Sequence, residues 1–163
     1  IGVEPRKDLE QKGNRASTTD GYWRVNKGDF IVNKLLAWMG AIGISKYDGV
    51  TSPAYDILRP RRKINGWFYH YLFRTDLCTQ EMKRNSRGIM DMRLRLYFHR
   101  FGDVLIPVPP LDEQNNIVNE IERRFKVLDC LIHREEVTIQ TLREYRATLI
   151  DSAVTGKIKV PGV

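Results

Sequence analysis

Asp76 and the run Glu81-Met82-Lys83 supply the residue types of a metal-dependent nuclease, two carboxylates to hold Mg²⁺ and a lysine to activate water. Their spacing argues against it. Five residues of separation inside a predicted helix suits an ordinary charged face better than two strand-borne ligands. Gly40-Ala41-Ile42-Gly43 imitates the backbone-clamping loop of some single-strand binders, but the apolar run around it favours close packing. The chain has no Gly-x-x-x-x-Gly-Lys loop for phosphates, and no Asn or Asp followed by Pro-Pro and an aromatic, the turn used by amino-methyltransferases. Cys78 and Cys130 stand 52 residues apart, and His70, His99 and His133 form no ligand spacing with them. Neither a disulfide framework nor a zinc knuckle is expected. The expectation is therefore a chain with no catalytic residues, no metal and no cofactor.

What remains is basic. Arg59-Pro60-Arg61-Arg62-Lys63 follows an apolar run, Lys83, Arg84 and Arg87 lie between a helix and a loop, and Arg93 and Arg95 alternate along an extended segment. Residues 1–110 hold 19 Lys+Arg against 11 Asp+Glu, whereas residues 111–163 hold 8 against 9, so the charge of +8 sits in the first part. An arginine fork can bond a guanine edge with two donors, and the other cations can neutralise phosphates. The candidate DNA contacts are Arg59, Arg61, Arg62, Lys63, Lys83, Arg84, Arg87, Arg93 and Arg95. A solvated basic face is the alternative.

The elements that must hold these residues divide sharply at Pro109-Pro110. The first 110 residues contain 10 of the 12 glycines, 6 of the 7 prolines and 14 of the 16 aromatics. Turn signals fall at Lys12-Gly13-Asn14, Thr19-Asp20-Gly21 and Tyr47-Asp48-Gly49. Phe30-Ile31-Val32, Leu35 to Met39 and Ala41 to Ile44 are too short for stable helices and predict buried strands with tight bends at Gly40 and Gly43; Ala54 to Arg59 predicts another. Asn65 is placed to cap a helix that lines up Trp67, Phe68, Tyr71 and Leu72, and a second helix is expected from Leu77 to Lys83 behind Asp76. Arg84 to Gly88 reads as a loop and Val104 to Val108 as a final strand. The sum is an α+β module over residues 1–108.

From Leu111 to Thr155 there are 45 residues without glycine or proline, with Asp112 and Glu113 in the first turn and Gly156 past the last. At 1.5 Å per residue such a helix reaches roughly 65 Å. Ile121, Phe125, Leu128, Ile132, Ile139, Leu142 and Leu149 fall at alternating intervals of four and three once Glu135 and Arg146 take seam positions. This is a coiled-coil seam with two polar interruptions, so residues 109–163 are expected to pair antiparallel with a partner. A helix packed on its own domain accounts for the first turns only.

At 163 residues and 42% hydrophobic, the chain suits one globular domain and an appendage. No apolar run approaches the roughly 20 residues of a membrane span, and no signal peptide opens it, which predicts an intracellular, cytoplasmic setting. The first residue is Ile1 rather than Met, so an earlier start is expected.

Pro107-Val108-Pro109-Pro110-Leu111-Asp112-Glu113-Gln114, and then Leu142-Arg143-Glu144-Tyr145-Arg146-Ala147-Thr148-Leu149-Ile150 with Ala153-Val154-Thr155-Gly156-Lys157-Ile158, closely resemble the specificity subunit of type I restriction-modification systems. Asn26 to Phe30, Gly49 to Tyr55 and Arg87-Gly88 resemble that family's target-recognition domain. The resemblance implies a non-catalytic reader of duplex DNA, in which two recognition domains each read half of a split site and two long helices pack antiparallel as a spacer. It also implies partners: methyltransferase subunits that methylate adenine with S-adenosylmethionine, and restriction subunits that translocate and cut. With one recognition domain and one helix, the chain looks like half a subunit, pairing with itself or another half, whose recognition domain would begin upstream of Ile1 with a further strand or two. The alternative is a dimerising or regulatory half-subunit that binds DNA weakly or not at all.

Overall fold

In the computed structural model, which describes residues 2–5, 20–88 and 94–158, the short apolar run Phe30-Ile31-Val32 with Asn33 becomes the central strand of a three-stranded sheet. This strand, β2 (Phe30–Asn33), buries Phe30 and Val32 and pairs antiparallel with β3 (Ile42–Ile44) on one side and β5 (Tyr55–Leu58) on the other. A separate ribbon joins β1 (Trp23–Val25) to β4 (Gly49–Thr51). The chain bends at 46–47, as the turn signal requires, but Gly49 already belongs to a strand that the turn concealed. The signals at Lys12-Gly13-Asn14 and Thr19 lie outside the described residues.

Two expected strands are absent. Leu35 to Met39 does not extend β2: Asn33 Oδ1 accepts from the Leu35 amide and turns the chain, and a 3-10 helix at Ala37–Met39 follows. Gly40 closes it at φ 78°, a left-handed conformation that a side chain would strain. Val104 to Val108 also forms no strand. Pro107 lacks the amide a ladder needs, and the segment instead lays Val104 and Ile106 on the core.

The helices follow their caps. Asn65 Oδ1 accepts from the Trp67 and Phe68 amides and starts α1 (Gly66–Leu72). Helix α2 (Asp76–Asn85) is capped by Thr75 rather than Asp76, and it absorbs Arg84 and Asn85, which were expected in the loop. A four-residue helix, α3 (Phe98–Phe101), is too short to leave a period in the sequence. Phe68, Tyr69 and Phe73 pack with Phe30, Cys78, Met82 and Leu96 in one core.

Helix α4 (Leu111–Val154) runs 44 residues, and Gly156 takes the left-handed conformation beyond it. The chain divides into two compact units, Ile1–Val118 and Asn119–Val163. Within the first, Gln114 is buried: its Nε2 donates to the Pro109 carbonyl at 2.8 Å, and its Oε1 accepts from the Asn65 amide at 2.8 Å. Asn65 Nδ2 donates to Asn115 Oδ1 at 2.8 Å. The Pro-Pro-Leu-Asp-Glu-Gln run thus ties the start of α4 to the cap of α1. Replacing Gln114 with Ala leaves the half-buried Asn65 amide and Pro109 carbonyl without their partner, and should lower unfolding free energy by about 2 kcal/mol in a urea titration.

His70 fills a second tie. It is buried, and its Nδ1 accepts from the Ile44 amide on edge strand β3 at 3.4 Å. Burial, aided by the positive charge of Arg74, pushes its pKa down to about 4. The unfolded chain therefore takes up the proton first as pH falls, near the ordinary value of about 6.5. The stabilisation from neutral His70 is whole above that pH and is lost as pH descends toward the folded value. Between pH 7.5 and 5.0 stability should fall by about 2 kcal/mol from this group, and His70→Gln should flatten the urea-midpoint profile over that range.

Candidate nucleic-acid interface

Arg59 leaves the end of β5 and grips Asp29 at the start of β2, with Nε 2.9 Å from Oδ1 and a terminal nitrogen 2.8 Å from Oδ2. The Asp29 side chain is only 4% exposed, and the Asn26 amide also donates to it. These bonds, Arg59's above all, hold its carboxyl below the usual carboxylate range. A buried carboxylate stripped of its cation is costly, so Arg59 is committed to holding β2 against β5 before it can serve a phosphate. Arg61, Arg62 and Lys63 follow it, exposed and with no ion pair among the described residues. They adjoin an apolar cleft of about 260 Å³ whose walls include Leu58, Ile64, Tyr69, Phe73 and Ile106.

The second basic group is assembled by tertiary structure. Arg87 and Arg95 form an antiparallel bridge, each amide donating to the other's carbonyl at 3.0 and 2.9 Å. Arg84, from the end of α2, and Arg87 line a polar cleft of about 400 Å³ with Asn85, Ser86 and Arg100. Arg100, on α3, was not among the sequence candidates, since nothing in Phe98-His99-Arg100-Phe101 signals its place. Like charges directly opposite on paired strands repel; here Arg87 is bridged to Arg95 and shares the cleft with two further arginines. Two are partly neutralised: Arg84 by Glu81 at 2.7 Å and Arg100 by Asp103 at 3.4 Å. Lys83 lies 5.3 Å from the centre of the Trp38 ring, a cation–π contact that draws it back to the protein. Arg93 lies outside the described residues. The two basic groups share no cleft-lining residue.

A further exposed cation, Arg24, lay outside the sequence candidates. On the β1–β4 ribbon Arg24 stands opposite Val50, both exposed, and the preceding Trp23, opposite Thr51, is exposed as well. A two-stranded ribbon fits the major groove of B-DNA. The residues with nuclease chemistry do not converge, since Asp76 opens α2 and Glu81 binds Arg84. Among the described residues no group of three or more His, Cys, Asp or Glu could hold a metal ion. Gly43 is paired with Ile31 inside the sheet, which makes its run part of the core rather than a clamp.

On α4, the seam residues Phe125, Leu128, Ile132, Ile139, Leu142 and Leu149 are all exposed, between 39% and 61%, and Ile121 is half-buried. Leu131 and Tyr145 widen the stripe. Comparisons with protein-family models, curated proteins and solved structures return no match. No helix among the described residues is long and apolar enough to cross a membrane.

Proposed function

We propose that the chain is a non-catalytic, sequence-specific reader of duplex DNA, working as a half-subunit of the specificity component in a type I restriction-modification complex. The observation that carries the reading is the cleft that Arg84, Arg87 and Arg100 share, with Arg95 bridged to Arg87, in which tertiary structure sets like charges together that Glu81 and Asp103 neutralise only in part. The exposed Arg61, Arg62 and Lys63 add phosphate contacts, and the stripe on α4 pairs with a second copy or another half-subunit. Catalysis then belongs to methyltransferase and restriction subunits. Titrating labelled duplex DNA at 50 and 200 mM salt, with and without a methyltransferase subunit, tests this. Binding should fall steeply with salt, and the assembled complex should methylate a split adenine-containing site, with two equal half-sites if two copies pair.

A dimerising or regulatory half-subunit is the second reading, favoured by one observation: Arg59, Arg84 and Arg100 already have carboxylate partners. Salt-independent or undetectable duplex binding by a chain that still dimerises would select it.

A further inference from the structure

The seam on α4 repeats every seven residues, so two antiparallel copies can slide by whole heptads and keep apolar layers in contact. Charge removes that freedom. Glu135 and Arg146 occupy seam positions, and Glu136 and Arg143 stand at the flank, one residue beyond a seam position. All four are exposed, and none makes an ion pair or side-chain hydrogen bond among the described residues.

We propose that two copies of this chain pair antiparallel in the single register that sets Glu135 of each copy against Arg146 of the other, with the two-fold axis between Gln140 and Thr141. The inference rests on the pairing of copies in the proposed function and specifies its geometry. In this register Ile132 meets Leu149 and Ile139 meets Leu142, while Leu128 meets the small Ala153. At the flank Glu136 faces Arg143. Symmetry repeats each contact, so two kinds of ion pair close on both sides of the axis. The copies overlap over about 28 residues, or roughly 42 Å of helix.

The neighbouring registers fail on the same residues. A slide of one heptad in one direction puts Glu135 against Ile139, Arg146 against Leu128, and Glu136 beside its own symmetry mate. A slide the other way puts Glu135 against Ala153, Arg146 against Leu142, and Arg143 beside its mate. A two-heptad slide sets Glu135 against Ile132 and Glu136 beside Asp129. A parallel, in-register pair would set Glu135 on Glu135 and Arg146 on Arg146. Each leaves ionised groups against hydrocarbon or like charge against like, which seam positions penalise heavily.

The test is charge reversal with complementation. Glu135→Arg with Glu136→Arg, and separately Arg143→Glu with Arg146→Glu, should each raise the dimer dissociation constant roughly a hundredfold or more. An equimolar mixture should restore dimers, all of them mixed, in native mass spectrometry, an outcome that misfolded variants would not give. In a Cys130→Ser background, Ile132→Cys mixed with Leu149→Cys should cross-link under mild oxidation, and Leu128→Cys mixed with Ile139→Cys should not. A dimeric wild type whose reversed variants fail to complement, or whose Leu128→Cys and Ile139→Cys chains cross-link instead, overturns the register and leaves the pairing standing. A monomeric wild type removes the pairing itself, and the register with it.

Discussion

Replacing Leu128 and Leu142 together with Glu should convert the chain to a monomer in sedimentation equilibrium. Both side chains are more than half exposed on the second compact unit, so neither substitution leaves a hole in a core. In an antiparallel pair both would be buried, and symmetry would place four carboxylates in the seam. Desolvating unpaired carboxylates costs several kcal/mol, so the dimer dissociation constant should rise by roughly three orders of magnitude or more. Circular dichroism at matched concentration separates this from a general collapse, because the core of the first unit uses neither residue. A wild-type chain already monomeric at tens of micromolar would count against the seam altogether.

Changing Arg61, Arg62 and Lys63 to Ala should weaken duplex binding roughly a hundredfold at about 0.1 M salt and reduce the slope of log affinity against log salt by roughly three, one unit for each phosphate that no longer meets a cation. The three side chains are exposed, so the fold should persist, which an unchanged urea midpoint would verify. Arg87→Ala is expected to behave differently. If its guanidinium meets a base edge, the variant should lose about 1 to 3 kcal/mol against one base pair and relax preference there. Equal affinity and equal slope in all these variants would place the DNA surface elsewhere, with the β1–β4 ribbon and Arg24 the next to change.

The long helix, its start after the prolines, its end at Gly156 and the capping of α1 by Asn65 were all legible in the sequence, because each follows from local rules of backbone amides, glycine and proline. The exposed stripe on α4 was legible for the same reason, since a period of seven needs nothing beyond the helix itself. So was the strand over Phe30 to Val32, an apolar run too short for a stable helix; that Phe30 and Val32 face the core was shown by the structure. The strand expected over Leu35 to Met39 was lost to a local competitor, the Asn33 side chain, and that over Val104 to Val108 to a proline, which has no amide to offer a sheet.

Tertiary structure alone decided which cations stand together. Arg84, Arg87 and Arg100 come from two helices and an isolated bridge spread over 17 residues, and their sharing of one cleft depends on pairings that no local period encodes. It also decided that Arg59, in sequence one more member of a basic run, closes on Asp29 thirty positions away, and that Gln114 locks onto Asn65. Composition sets how much charge a module carries. Where that charge points, and how much of it is already spent on carboxylates, depends on contacts between residues far apart in the chain, which become neighbours only when the core around Phe30, Phe73 and Met82 has closed.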